Sequence, residues 1–213
     1  MPHLKVESIN TTKGNRFLVA GFTLLEVLIV VGIISGVFFI VSIFAFDIFN
    51  LQLFIGESLG GEAQSQYAFK IIIPELRSIG PSSSGGYPIS SASSSSFSFY
   101  SDIDNDGLFE QVRYFLNGTT FQKGVIRPTG VPLAYDPATE KIINLASNVI
   151  SGNIFSYFNK NYDGINGTVL GYPIDVSTIR VVKVVLSIDK NQNIEPGPLT
   201  VSAIVDIRNL RGR

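Results

Sequence analysis

The N-terminal part of the chain contains one uninterrupted apolar segment. Between Phe22 and Phe46 the only ionisable residue is Glu26. A helix of this length measures about 37 Å at 1.5 Å per residue, which exceeds the roughly 30 Å hydrocarbon core of a bilayer. The pattern therefore predicts a hydrophobic transmembrane helix over 22–46, with one carboxylate near its start.

After this segment the helical pattern weakens and then returns. The glycines within 56–61 each cost about 1 kcal/mol relative to alanine in a helix, so we expect a softened or partly unwound stretch there. Further along, Ile72, Leu76 and Ile79 lie at helical spacing. The pattern predicts a continuation of the helix over 47–80. Its apolar stripe is typical of packing against a core rather than of a binding face.

From residue 97 onward apolar and polar residues alternate, which is typical of half-buried strands. Asn117 and Gly118 separate two such runs and form the strongest short hairpin signal. Near the C-terminus, alternating runs at 182–188 and 201–207 are separated by a segment rich in turn residues. A long helix followed by antiparallel strands predicts an α+β fold, in which the helix packs on an antiparallel β-sheet.

The segment between the helix and the strands is rich in serine. Nine of the fifteen residues in 82–96 are serine. Such a composition buries too little apolar surface to offset the entropy of ordering, so we predict a flexible loop within a β-rich headgroup over 81–213. In the simpler interpretation this loop links the helix to the sheet, and in the alternative it forms a contact surface.

Composition argues against several kinds of chemistry. The chain has no cysteine, and its single histidine, His3, precedes the apolar segment. Thiolate metal sites and catalysis by histidine are therefore not expected. The net charge is -1 and no basic run is interleaved with aromatic residues, so we do not expect a nucleic-acid partner. Because no recognisable nucleophile or phosphate-binding motif is present either, we predict that the protein is not an enzyme.

Charges ahead of the apolar segment predict its orientation. Lys5, Lys13 and Arg16 stand there against the single acid Glu7. A positive excess of this kind holds the N-terminus in the cytoplasm and places the remaining chain across the membrane. An uncleaved signal anchor would explain both the length and the charge of the segment. It would not explain Glu26, because an ionised side chain at membrane depth costs about 2.5 to 3.5 kcal/mol.

The residues Gly21 to Glu26 read GFTLLE. This stretch resembles the signature of type IV prepilins and of type II secretion pseudopilins. The resemblance implies that a prepilin peptidase removes a leader, 1–21, by cutting between Gly21 and Phe22, and that it methylates the new amino group of Phe22. It also implies that Glu26 pairs with that amino group on a neighbouring subunit when the helices assemble into a filament. Either charge alone would be buried without a partner.

Further residues resemble the minor members of the same family. The strings ELRS, VRYFL and the closing Arg-Asn are similar to those of J-type pseudopilins and W-type minor pilins. Ile43 stands where many major pilins have a proline. The resemblance implies a pilin-like fold and a subunit that initiates or caps a type IV pilus or a type II secretion pseudopilus. Its partners would be other pilin subunits. The resemblance also implies that the chain crosses a bacterial inner membrane once, with the headgroup outside.

Two other functions stay open beside assembly. A membrane-anchored binding module, such as an adhesin or a DNA-uptake tip subunit, would use the serine-rich segment and a sheet edge. A signal-anchored enzyme is the third alternative, although no residue pattern favours it.

An acidic turn offers a candidate metal site. Asp102, Asp104 and Asp106 are followed by glycine, which matches the first half of a calcium loop in which alternate carboxylates converge on one cation. The second half does not match, because position twelve is Arg113, although Glu110 occupies position nine. The alternative interpretation is an acidic β-turn that binds no ion.

Overall fold

The computed structural model describes residues 21–150, 152–190 and 197–211. Within helices it leaves the side chains of 53, 54, 57–59 and 211 undescribed. All but the last residue of the predicted leader lies outside the described residues. The chain divides into two compact units with a boundary between Asn50 and Leu51.

The first element is the helix α1, Leu24–Arg77. Thr23 precedes it, and the Thr23 Oγ1 accepts the backbone N–H of Glu26 at 3.2 Å, as an N-cap residue does. The helix continues through 56–61, so the expected unwinding is not observed. A physical reason is visible at Gly61, which is buried and lies against the side chains of Leu199 and Ile188. Tertiary packing of this kind outweighs a propensity cost of about 1 kcal/mol per glycine.

The strands that follow form two main antiparallel sheets and one small hairpin. The strands are β1 (Ile89–Ala92), β2 (Ser96–Ser101), β3 (Glu110–Asn117), β4 (Thr120–Ile126), β5 (Pro128–Thr129), β6 (Ala134–Tyr135), β7 (Lys141–Ala146), β8 (Phe155–Phe158), β9 (Val181–Ile188) and β10 (Leu199–Asp206). The first sheet has five strands in the order β1-β2-β3-β4-β7, the second has three in the order β10-β9-β8, and β5 pairs with β6. Two 3-10 helices, Pro137–Thr139 and Val176–Thr178, and the short helix α2, Arg208–Arg211, complete the described elements.

The predicted α+β class is confirmed, since a long apolar N-terminal helix accompanies antiparallel sheets. Asn117 and Gly118 lie at the turn between β3 and β4, where Asn117 pairs with Thr120 and Gly118 has a φ of 60°. The runs at 182–188 and 201–207 also form a hairpin, with Ile188 opposite Leu199. The sequence pattern predicted one sheet, whereas the structure has two main sheets.

The serine-rich segment 82–96 differs from the predicted flexible loop. It contains strand β1, which pairs with β2, and it ends at the first residue of β2. Two of its polar groups also bind other parts of the fold. The Ser83 Oγ accepts the backbone N–H of Phe109 at 2.7 Å, and the carbonyl of Ser94 accepts the N–H groups of Ile154 and Phe155 at 2.8 and 2.9 Å. Backbone pairing and hydroxyl groups therefore order a segment that composition alone assigned to a loop.

The core lies where the second part of α1, from Ala68 to the helix end, meets the sheets. Ile72, Leu76 and Ile79 are all 0% exposed, which confirms the predicted packing stripe, although Ile79 lies just beyond the helix end. Six aromatic side chains fill the space between the strands and contact one another ring to ring: Phe97, Phe99, Tyr114, Phe121, Phe155 and Tyr157.

A polar contact ties the same part of α1 to the first sheet. Glu75, in the last turns of the helix, pairs with Lys123 of β4, and its Oε2 accepts the hydroxyl of Tyr114 of β3 at 2.5 Å. The side chains of Lys123 and Glu75 are only 7% and 13% exposed. Burial raises the pKa of Tyr114, and the charge of Glu75 raises it further, so the hydroxyl keeps its proton and remains a donor.

Candidate functional site

The predicted cleavage position lies immediately before the helix. Gly21, Phe22 and Thr23 have no regular secondary structure, and helix α1 begins at Leu24. The side chain of Phe22 is 79% exposed, and no atom of the described residues lies within 4 Å of the position that a Cβ of residue 21 would occupy. The Gly21–Phe22 peptide bond is therefore outside the hydrogen-bonded helix, as a bond must be to enter a peptidase active site.

Glu26 lies in the first turn of α1 and is exposed. Within the residues that the structure describes, its carboxylate forms no hydrogen bond or ion pair, whereas its backbone N–H is bound by the hydroxyl of Thr23. An acid in the first turn interacts favourably with the helix dipole by about 0.3 to 1 kcal/mol. The cap does not need this carboxylate, which remains available to a partner outside the chain.

Thr23 is a residue whose local role the sequence reasoning missed. The spacing Thr-x-x-Glu from Thr23 to Glu26 is a known helix-start signal and could have identified the cap. Here the threonine hydroxyl binds the backbone of Glu26, so helix α1 starts two residues after the predicted cleavage bond.

The apolar segment at the start of α1, Leu24–Gln52, is not buried by other described residues of the chain. The segment Leu24–Gln52 is long and apolar enough to cross a membrane. All its side chains are exposed except that of Ser42, which is half-buried. Ser35 and Ser42 donate their hydroxyl groups to the carbonyls of Val31 and Phe38, each at 2.7 Å. Because these hydroxyls are satisfied within the helix, they do not require water.

The structure brings the three predicted acidic residues together in the connection between β2 and β3. One carboxylate oxygen from each of Asp102, Asp104 and Asp106 lies within 4.8 Å of the other two. The two Asp102 oxygens accept the N–H groups of Asp106 and Gly107, both at 3.1 Å. Gly107 has a φ of 87°, in the left-handed region that favours glycine. The turn thus holds a convergent set of hard oxygen ligands.

Glu110 lies at the base of this turn. Its side chain is 1% exposed, and its Oε2 accepts the backbone N–H of Ile103 at 3.1 Å. Its Oε1 forms no hydrogen bond among the described residues. Burial raises the pKa of Glu110, the hydrogen bond from Ile103 opposes that shift, and the charges of Asp106 and Asp102 raise the pKa further.

Arg127 is a second residue that sequence reasoning missed at this site. Its guanidinium group pairs with Asp104, and its Nε lies 4.0 Å from the Oε1 of Glu110. No local signal could have indicated this contact, because Asp104 and Arg127 are 23 residues apart in the chain. Arg113, which occupies position twelve of the calcium-loop pattern, forms a bidentate ion pair with Glu140, at 2.9 and 2.7 Å.

Comparison with known proteins assigns no family: no family model matches the chain, and no curated protein matches it. The functional interpretation therefore depends on these residues and their geometry.

Proposed function

We propose that the protein is a minor prepilin-like subunit, which initiates or caps a type IV pilus or a type II secretion pseudopilus. The observation that carries this proposal is the first part of α1, which is apolar and exposed over Leu24–Gln52 with a single carboxylate in its first turn. Burying a large aliphatic side chain gains about 1.5 to 3 kcal/mol, so many exposed ones cannot stay in water. A bilayer first covers this surface, and neighbouring helices of a filament cover it later.

The N-terminal residues fit such a pathway. A prepilin peptidase would hydrolyse the bond between Gly21 and Phe22 and transfer a methyl group to the new amino group of Phe22. In a filament that amino group, which carries a positive charge, would neutralise Glu26 of a neighbouring subunit. A buried carboxylate left without such a partner costs several kcal/mol. The α+β domain, with its helix against antiparallel strands, would be the pilin-like headgroup outside the inner membrane.

A membrane-anchored binding module is the second candidate. The observation that favours it is the open edge of the first sheet, where β7 is the outermost strand and exposes Ile142 and Ile143 by 49% and 47%. An edge strand presents unpaired backbone groups to which an extended segment of a ligand can add. A binding module of this kind would need the helix only as an anchor.

Cleavage is tested first, by the mass and N-terminal sequence of the chain recovered from membranes of cells that contain a prepilin peptidase. We expect a chain that begins at Phe22 and is heavier by one methyl group. A chain that still begins at Met1 or Pro2 would contradict the prepilin pathway.

Assembly is tested by Glu26→Gln, with Asp47→Asn as the matched control, because Asp47 is another exposed acid of the same helix. We expect E26Q to be cleaved and inserted but absent from filaments that are sheared from the cells, while D47N is incorporated normally. Incorporation of E26Q at the normal level would contradict an assembly role for this carboxylate and favour the anchored binding module.

A further inference from the structure

We propose that the free edge of strand β10, together with the groove between β10 and helix α1, binds an extended strand of another protein. That strand would pair with the backbone of β10, and it would carry apolar side chains at alternate positions with a carboxylate among them. The inference concerns only the headgroup and does not depend on the proposed assembly function. It also concerns a different edge from that of β7, which belongs to the first sheet.

Strand β10 is the outermost strand of the second sheet. In the part of the chain that the structure describes, it pairs only with β9, and all eight of its residues pair without a register shift. An antiparallel edge strand presents the N–H and C=O of every second residue outward. Natural edges are usually protected by a lysine, a proline or a bulge. The sequence of β10, LTVSAIVD, contains neither of those residues, and its pairing contains no bulge. Its backbone is therefore open to a further strand.

An apolar groove lies beside this edge. It has a volume of about 440 Å³ and is lined by Phe69 and Ile73 of α1 and by Val201 and Ala203 of β10. A strand that adds to β10 would direct every second side chain toward the helix, because side chains alternate between the two faces of a sheet. The groove therefore selects apolar residues at alternate positions of the added strand.

Lys70 of α1 determines which charge the added strand should carry. Among the described residues that line the groove, Lys70 is the only charged one, and it forms no ion pair with another described residue. A carboxylate on the added strand would complement it. Two copies of this chain paired through the middle of β10 would instead bring two Lys70 side chains together, and like charges repel. The charge of the groove therefore favours an acidic strand of another protein over a second copy.

The test is the selection of peptides from a phage-displayed library of random dodecapeptides on the purified full chain in detergent. We expect enriched peptides with apolar residues at alternate positions and an acidic residue among them. Ser202→Lys adds a lysine to the exposed part of β10, as protected edges have, and should abolish the enrichment. Lys70→Glu should weaken the binding of a synthetic acidic peptide about tenfold or more, measured by fluorescence anisotropy, because it reverses the complementary charge. The same variant should bind the lysine analogue of that peptide more tightly than the parent chain does.

Two matched variants locate the binding. Lys160→Glu reverses another exposed lysine, and Ile143→Lys adds a lysine to the edge strand β7. Both should bind the acidic peptide like the parent chain.

The proposal is overturned if no peptide is enriched, or if S202K with an unchanged near-ultraviolet circular dichroism spectrum enriches the same peptides as the parent chain. An unchanged peptide preference in K70E, which alters only an exposed helix position, also overturns it. Loss of binding in I143K would place the peptide at β7 instead. A dimer of the chain alone in sedimentation, dissociated by S202K, would make a second copy the occupant.

Discussion

The two parts of helix α1 carry similar apolar side chains in opposite surroundings. In the first part, Leu24–Gln52, the apolar side chains are exposed on every side of the helix. In the second part, Ala68, Ile72 and Leu76 are each 0% exposed and belong to the core of the headgroup. The same secondary structure therefore has two sources of stability. The second part is stabilised by its own chain, and the first needs a covering that the described residues do not supply.

This difference teaches how to separate, by mutation, the folding of the headgroup from the assembly role proposed above. Substitutions in the second part of α1 should change the free energy of unfolding of the headgroup. Substitutions in the first part should leave that free energy unchanged and, under the proposed function, act on membrane insertion or on contacts with other subunits.

The largest effect is expected for Ile72→Ala. Removing a fully buried isoleucine side chain costs about 2 to 5 kcal/mol through lost burial and the cavity that remains. The matched variant Ile34→Ala changes a side chain that is 57% exposed, and it should shift the stability of the headgroup by less than about 0.5 kcal/mol. Urea unfolding of the full chain in detergent, followed by the near-ultraviolet circular dichroism of the tyrosines, measures both. Equal losses in the two variants would remove the distinction between the two parts of the helix.

The next effect concerns the polar contact that fastens the second part of α1 to the first sheet. Lys123→Met removes the cation that pairs with Glu75 and leaves the carboxylate nearly buried, with the hydroxyl of Tyr114 as its donor. Breaking a buried pair costs about 3 to 5 kcal/mol, and the low end of that range is expected here because Tyr114 still donates to the carboxylate. The same urea experiment measures the loss.

The control for this prediction is the double variant Glu75→Gln with Lys123→Met. Glutamine carries no charge and still accepts the hydroxyl of Tyr114, so the double variant should be more stable than Lys123→Met alone. A double variant as unstable as the sum of its two single variants would show that the pair is not coupled.

The smallest effect is expected at an exposed carboxylate of the headgroup. Asp175 caps the second 3-10 helix, and hydrogen bonds from the hydroxyl and then the backbone N–H of Ser177 lower its pKa. A folded pKa below the unfolded value means that the contribution to stability is present above the unfolded pKa and is lost as the pH falls through the folded pKa. Asp175→Asn should therefore slightly flatten the acid limb of the stability curve, measured by urea midpoints between about pH 5 and pH 2. A steeper acid limb in the variant would contradict this assignment.

Features that depend on neighbouring residues in sequence could be predicted. The Asn117-Gly118 turn, the stripe at Ile72 and Leu76, and the buried face of 182–188 all follow from local spacing, because a helix or a strand repeats its faces at a fixed period. The convergence of Asp102, Asp104 and Asp106 is also local, because the turn that brings them together spans only a few residues of the chain.

Features that depend on register between distant strands could not be predicted. Glu75 and Lys123 are 48 residues apart, and Asp104 and Arg127 are 23 apart. Whether the two residues of such a pair come into contact depends on which strands pair and on the register between them. Composition and periodicity do not encode either. The order in 82–96 was missed for a related reason, since its donors are Phe109 just before β3, Phe155 on β8 and Ile154 just before β8.

The carbonyl of Ser94 has a practical consequence for labelling the protein. A stretch rich in serine would ordinarily be chosen for an epitope tag or a fluorescent probe. Here that carbonyl accepts N–H groups from Ile154 and Phe155 at the start of β8, so an insertion at Ser94 would break hydrogen bonds between this segment and the second sheet. A better position for a tag is Ile165, whose side chain is 88% exposed in a turn outside both sheets.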